Sequence, residues 1–132
     1  MAGVLEGIKV LDFGRYIAGP FCAAMLGDLG ADVIRIERID GGEDRAITPI
    51  GDDGVGAIYL QCNRNKRGIT LNPTTNAGRL ITEKLVRNAD IVVANFPEKA
   101  LKSLGLDYER LRSIKSDIIL STVNAFGDGP WK

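Results

Sequence analysis

The side chains able to do chemistry here are carboxylates and guanidinium groups. The sequence has no histidine, which removes His-based metal sites, Ser-His-Asp triads and imidazole acid/base work from this segment, and no metal site is expected. Cys22 and Cys62 lack CxxC spacing, and Cys22 falls on an apolar helical position, so packing is its expected role. Asp12, between Leu11 and Phe13 at the end of an apolar run, is the carboxylate best placed to react. A structural role, bonding neighbouring loop amides, is the favoured reading of it. Arg38 follows a strand-like run, where a guanidinium can hold phosphate oxygens in two parallel hydrogen bonds, or can be solvated and pair with Glu37 or Asp40. The basic cluster Arg64, Lys66, Arg67 reads as a solvated turn ahead of a phosphate site. Gly14, Gly19, Gly41 and Gly42 do not form a GxGxxG fingerprint, so a nicotinamide cofactor is not expected.

Seventeen basic residues balance seventeen acidic ones over 132 residues. No global field attracts nucleic acid or an acidic membrane, and any polyanion site must be local. No stretch approaches the roughly 20 apolar residues of a membrane span, and the N-terminus has no basic leader. The expected setting is cytoplasmic.

The groups above must be positioned by alternating strands and helices. Residues 8–13 are short and β-branched enough for a buried strand, and a helix follows in which Ala18, Phe21, Cys22, Met25, Leu26 and Leu29 recur at helical spacing, predicting an inward face. Residues 32–37 give a second strand and 68–71 a third, with a long surface loop over 38–56 and a helical turn at 57–60 between them. Thr75 is a predicted N-cap, with Ala77, Leu80, Ile81 and Leu85 facing inward along the helix. Residues 90–94 and 117–123 give the fourth and fifth strands. Between them Pro97 opens a short helix that Gly105 closes, and Asp107 caps another, with Leu106 and Leu111 as a hydrophobic staple.

This alternation predicts an α/β fold, a Rossmann-like three-layer arrangement around a mainly parallel sheet. In such a sheet, ligands bind beyond the carboxyl ends of the strands, where loop amides converge. Those ends are residues 14–19, Arg38, 71–74, 95–97 and 124 onward.

The same residues carry a resemblance. LEGIKVLDF, AGP, LGDLGADVIRIER, CNRNKRGITLN, DIVVANF, LGLDYERL and ILSTVNAFGDGP, in this order, closely resemble the N-terminal part of family III coenzyme A transferases, the superfamily of formyl-CoA and carnitine CoA transferases and α-methylacyl-CoA racemases. The resemblance covers essentially the whole chain. It implies that residues 1–132 are the N-terminal part of the Rossmann-like coenzyme A-binding domain of a larger protein. Coenzyme A or an acyl-CoA would be a substrate, with no permanently bound cofactor, and the other partner a carboxylic acid acceptor.

By the same resemblance, Ile17, Ala18 and Arg38 contact coenzyme A, and Leu71, Asn72, Pro73 and Thr74 lie along it. Asn95, Phe96 and Pro97 fall at its adenine or pantetheine edge. Ile17 and Arg15 stand where some formyl-CoA transferases have glutamine and histidine, so that subgroup's acyl specificity does not carry over. Ser103 stands where relatives can place a basic phosphate contact; neighbouring Lys102 either substitutes for it or is solvated. The family's nucleophile is an aspartate that attacks the thioester, giving an acyl-aspartyl anhydride and then an aspartyl-CoA thioester. The resemblance implies that it lies beyond Lys132, so no catalytic residue is expected in this chain. It also implies an interlocked homodimer for the full-length protein. An α-methylacyl-CoA racemase and a non-catalytic nucleotide-binding or interaction module remain as alternatives.

Overall fold

Side chains alternate along an extended strand, so the run DVIRIE must send Val33, Arg35 and Glu37 to one side and Ile34 and Ile36 to the other. The computed structural model, which describes residues 3–52, 54–125 and 127, shows this split throughout one sheet. The last residues of the final sequence motif, 128–130, and its Phe126 lie outside the described residues. Strands β1 (Lys9–Asp12), β2 (Asp32–Glu37), β3 (Arg67–Thr70), β4 (Ile91–Ala94) and β5 (Ile119–Thr122) pair in the order β3-β2-β1-β4-β5, every pair parallel. Helices α1 (Ala18–Asp28), α2 (Ala57–Cys62), α3 (Asn76–Arg87), α4 (Glu98–Leu104) and α5 (Tyr108–Ile114) make the crossovers. Two cores result, one on each face. Val10, Val33 and Val93 pack with Ala23 of α1, while Leu11, Ile36 and Val92 pack with Val86 of α3, Leu101 of α4 and Leu111 of α5.

Local signals act as their chemistry predicts. The Thr75 hydroxyl accepts from the Gly78 amide, and the Asp107 carboxylate accepts from the Arg110 amide. Leu106 and Leu111 are both fully buried across that second cap. Gly105 ends α4 at φ 68°, a left-handed conformation that favours glycine.

The helix faces differ from expectation. In α1 the buried residues are Gly19, Pro20, Ala23, Ala24 and Gly27, while Phe21, Met25 and Leu29 are exposed and Ala18 is exposed at the first turn. In α3 the buried residues are Gly78, Thr82 and Val86, while Ala77, Leu80 and Ile81 are exposed and Leu85 is half-buried. Small residues let a helix axis approach the sheet, and larger neighbours one position away are turned outward. The loop over 38–56 also holds more structure than expected: residues Glu43–Ala46 form a 3-10 turn with Asp44 buried, and Ile50 bridges Gly56.

Candidate functional site

The strand order reverses direction between β1 and β4, so the loops that follow these two strands diverge and open a crevice. Asn95, just after β4, closes the base of that crevice. Its amide oxygen accepts from the Arg15 backbone N–H at 2.7 Å and its amide nitrogen donates to the Arg15 carbonyl at 2.9 Å. The loop after β1 is further tightened by a glycine contact. A Cβ on Gly19 would fall 2.9 Å from the Gly14 Cα, and one on Gly14 would fall 2.7 Å from the Pro20 ring, so neither position accepts a side chain without movement.

Beside this crevice lies a cavity of about 390 Å³. Phe13, Ile36, Leu71 and Phe96 give it apolar walls, Arg15 and Arg38 supply cations, and Asp40 and Glu43 supply carboxylates. Asn72, Pro73 and Thr74 form another edge, shaped by the Asn72 side-chain oxygen, which accepts from both the amide and the hydroxyl of Thr74. Arg38 pairs with Asp40 through Nε and Nη2, each at 3.2 Å, with both side chains well exposed. Phe96 separates this cavity from a second, larger and more open groove of about 1140 Å³ running along β5, lined by Asn95, Pro97, Lys102 and Tyr108.

Behind the cavity the α1 face of the sheet is ionic where its strands end. Arg35 is buried, donating from Nη2 to Asp44 (2.6 Å) and from Nε to Glu37 (2.9 Å), with Nη1 3.4 Å from Asp12. Lys66 completes the set, its ammonium 2.7 Å from Asp12 and bonded also to the Pro20 carbonyl and the Asn63 amide oxygen. Glu37 accepts from the Tyr59 hydroxyl and from Arg45 Nε, both at 2.8 Å. The Tyr59 ring lies 4.4 Å from the Arg45 guanidinium and 5.5 Å from that of Arg35.

These contacts set the titration of the cluster. Burial opposes charge on Arg35, but the Glu37 hydrogen bond and the surrounding carboxylates outweigh it and raise its pKa. Burial likewise opposes charge on Glu37, yet hydrogen bonds from Arg35, Tyr59 and Arg45 hold its carboxyl below the ordinary value. Burial, with the Glu37 bond, pushes Tyr59 up to about 12. Burial lowers Lys66 against the pull of Asp12 and raises the Cys62 thiol, which suits an inert packing cysteine. Asp12 accepts from the Gly14 amide as expected, and is held besides by two cations.

The residues singled out by sequence fall into groups. Arg38, Leu71, Asn72, Pro73, Thr74 and Phe96 meet at the first cavity. Asn95, Pro97 and Lys102 line the second groove, where Asn95 has its amide committed to Arg15 and Lys102 pairs with Glu98 at 2.8 Å. Ile17 and Ala18 are exposed at the start of α1 and line neither space. The Ser103 hydroxyl donates to the Ala100 carbonyl. Lys66 is not solvated, contrary to the turn reading; Arg64 and Arg67 do lie at the surface, paired with Asp28 and Asp32. Sequence reasoning missed Arg35, whose carboxylate partners Asp12 and Asp44 come from another strand and from a loop. It also missed Asp44, hidden inside a run that looked like open loop.

Comparison with known proteins agrees with this architecture. A succinate–glutarate CoA-transferase of Agrobacterium fabrum is 40% identical over 135 residues, covering 96% of this chain and 34% of the relative. A formyl-CoA:oxalate CoA-transferase of Streptomyces avermitilis is 37% identical, covering 99% of this chain and 32% of the relative. The crystal structure of a CAIB/BAIF family protein from Brucella suis superposes with a TM-score of 0.91 at 39% identity, over 99% of this chain and 36% of that one. The chain thus spans about a third of the length of the curated relatives it matches. Residues 5–132 match the model of CoA-transferase family III, and the chain belongs to that family.

Proposed function

We propose that this chain forms the coenzyme A platform of an enzyme that moves coenzyme A between an acyl-CoA and a carboxylic acid. The observation that carries this reading is the cavity beside the β1/β4 crevice, where an apolar slot large enough for part of a nucleotide is bordered by two arginines. Arg38, Leu71, Asn72, Pro73, Thr74 and Phe96 are the residues we assign to coenzyme A there. The transferase names of the relatives favour group transfer over racemisation.

The nucleophilic aspartate is assigned to sequence beyond Lys132. Asp12, the reactive candidate within the chain, is fully buried and bonded to Lys66 and the Gly14 amide, an environment that suits a fixed anion better than an attacking one. No described helix is long and apolar enough to cross a membrane, and a cytoplasmic homodimer is the assembly we assign to the whole protein.

The test sets the 132-residue chain beside the full-length protein, each incubated with labelled acyl-CoA and candidate acids. Acyl exchange and a hydroxylamine-sensitive protein adduct are expected for the full-length protein alone. An adduct on the short chain would return the chemistry to a carboxylate here, Asp12 first. Failure of the full-length protein to exchange any acyl group would overturn the transferase reading.

A further inference from the structure

Of the two arginines at the cavity, the one that the motif singled out has its fork occupied. Arg38 presents Nε and Nη2 to Asp40. Arg15 is in the opposite condition. Its Nη1 alone takes three backbone carbonyls, those of Phe13 (3.0 Å), Gly14 (2.8 Å) and Ile36 (3.2 Å). Its Nε and Nη2 have no hydrogen-bond partner among the described residues, although the side chain is only partly exposed and lines the cavity.

The group is also held still. The Asn95 amide clamps its backbone on both sides, and the Phe96 ring lies 5.6 Å from its guanidinium carbon. A guanidinium with one nitrogen anchored and the other two donors unfilled is pre-organised for a planar, two-point acceptor. Burial and the nearby charge of Arg35 lower its pKa against the opposing pull of Asp44, Glu43 and Asp12, and an arriving anion would further favour the charged form. Its position at the sheet's reversal point is where ligands of such sheets approach.

We infer that Arg15 is the oxyanion-recognition residue of this cavity, receiving a phosphate or carboxylate of the ligand through Nε and Nη2. This rests on the reading of the cavity as a coenzyme A site. The two sources share one chemistry, a pair of coplanar oxygens, and ligand truncation separates them.

The experiment uses the full-length protein. Arginine-specific labelling with phenylglyoxal, followed residue by residue by mass spectrometry, is run with and without saturating coenzyme A, 3′-dephospho-coenzyme A, pantetheine or acetate. Arg15 should be shielded roughly fivefold or more by the ligand that supplies its anion. Shielding by coenzyme A and its dephospho form but not pantetheine assigns the diphosphate, shielding by coenzyme A alone assigns the 3′-phosphate, and shielding by acetate assigns a carboxylate. Calorimetry with Arg15→Lys and Arg15→Met should show that ligand weakened about tenfold by Met and less by Lys, which keeps the charge and loses the fork. Because labelling is read on the unaltered protein, a Met variant that fails to fold does not obscure the answer. Coenzyme A that binds and shields Arg38, with Arg15 labelled at an unchanged rate under every ligand, overturns the inference and spares the functional reading. A protein that binds none of the four ligands overturns both.

Discussion

Arg35 holds three carboxylates from inside the protein, and its removal would strand buried charge. Arg35→Met should cost about 3–5 kcal/mol, the range for breaking a buried pair on one side, measured by urea unfolding; a loss under 1 kcal/mol would mean that the cluster is solvated in solution. Tyr59 offers a sharper probe. Its folded pKa of about 12 lies above the ordinary value of 10.0, so the stabilisation linked to it is complete below pH 10 and lost as pH rises toward 12. Subtracting the phenolate titration of Tyr59→Phe from that of the parent should leave one late-ionising phenol, and an ionisation near pH 10 would refute the buried bond to Glu37. Glu37 has the opposite sign. Its carboxyl is depressed, so its contribution is present above the ordinary carboxylate range and lost as pH falls through the folded value. At the surface, Arg38→Ala should weaken coenzyme A binding by about 1–3 kcal/mol. Asp40→Asn should strengthen it by no more than about 1 kcal/mol, since an exposed ion pair is all that is given up. Calorimetry showing no change in either variant would leave this pair as ordinary surface charge.

At the scale of elements, the strands and caps were legible because each rests on local chemistry. The run Ile91 to Ala94 can only be a strand covered on both sides, and Thr75 and Asp107 cap where their side chains reach the next turn. The inward faces of α1 and α3 were not legible. Hydrophobic spacing weights Phe21, Met25 and Leu80 above glycine and alanine, whereas close approach of the helices to the sheet and to the loops that follow its strands selects Gly19, Ala23, Gly27 and Gly78. At Gly78 a Cβ would fall 1.8 Å from the Asn72 carbonyl oxygen, a contact no pattern of apolar residues encodes. Of the site, Arg38, Leu71, Asn72, Pro73, Thr74 and Phe96 gather at one cavity, whereas Asn95, Pro97 and Lys102 line the second groove and Ile17 and Ala18 line neither. The Asn95 clamp on the Arg15 backbone and the bond from the Tyr16 amide to Asp44 were not legible, because they join residues 80 and 28 positions apart. The packing predicts an inversion of the usual size rule. Ala24→Leu should cost about 1–3 kcal/mol by overpacking, and Met25→Ala, at a half-exposed position, under about 0.5 kcal/mol. Thermal melts giving the reverse order would restore the expected face.

Over the whole molecule, Ile17, Phe21, Met25 and Leu29 form an exposed apolar ridge down α1, with Leu60 of α2 also exposed. A ridge of this kind on an isolated domain promotes association. The 132-residue chain by itself should sediment as a concentration-dependent oligomer, and Phe21→Glu with Met25→Glu should return it to a monomer. A parent that remains monomeric at high concentration would show the ridge to be tolerated.

The ionic cluster at the strand ends has a bearing on how this sequence can change over time. Buried Arg35 and Lys66, with the solvent-exposed Arg45 at the edge, face Asp12, Glu37 and Asp44, so each buried carboxylate has a cation beside it. Any single neutralising step passes through a destabilised intermediate, while a matched pair of replacements need not, because contacting residues in one network are not additive. Drift at these positions should proceed in compensating couples, so that Asp12 and Lys66 are lost together or kept together across descendants of the chain.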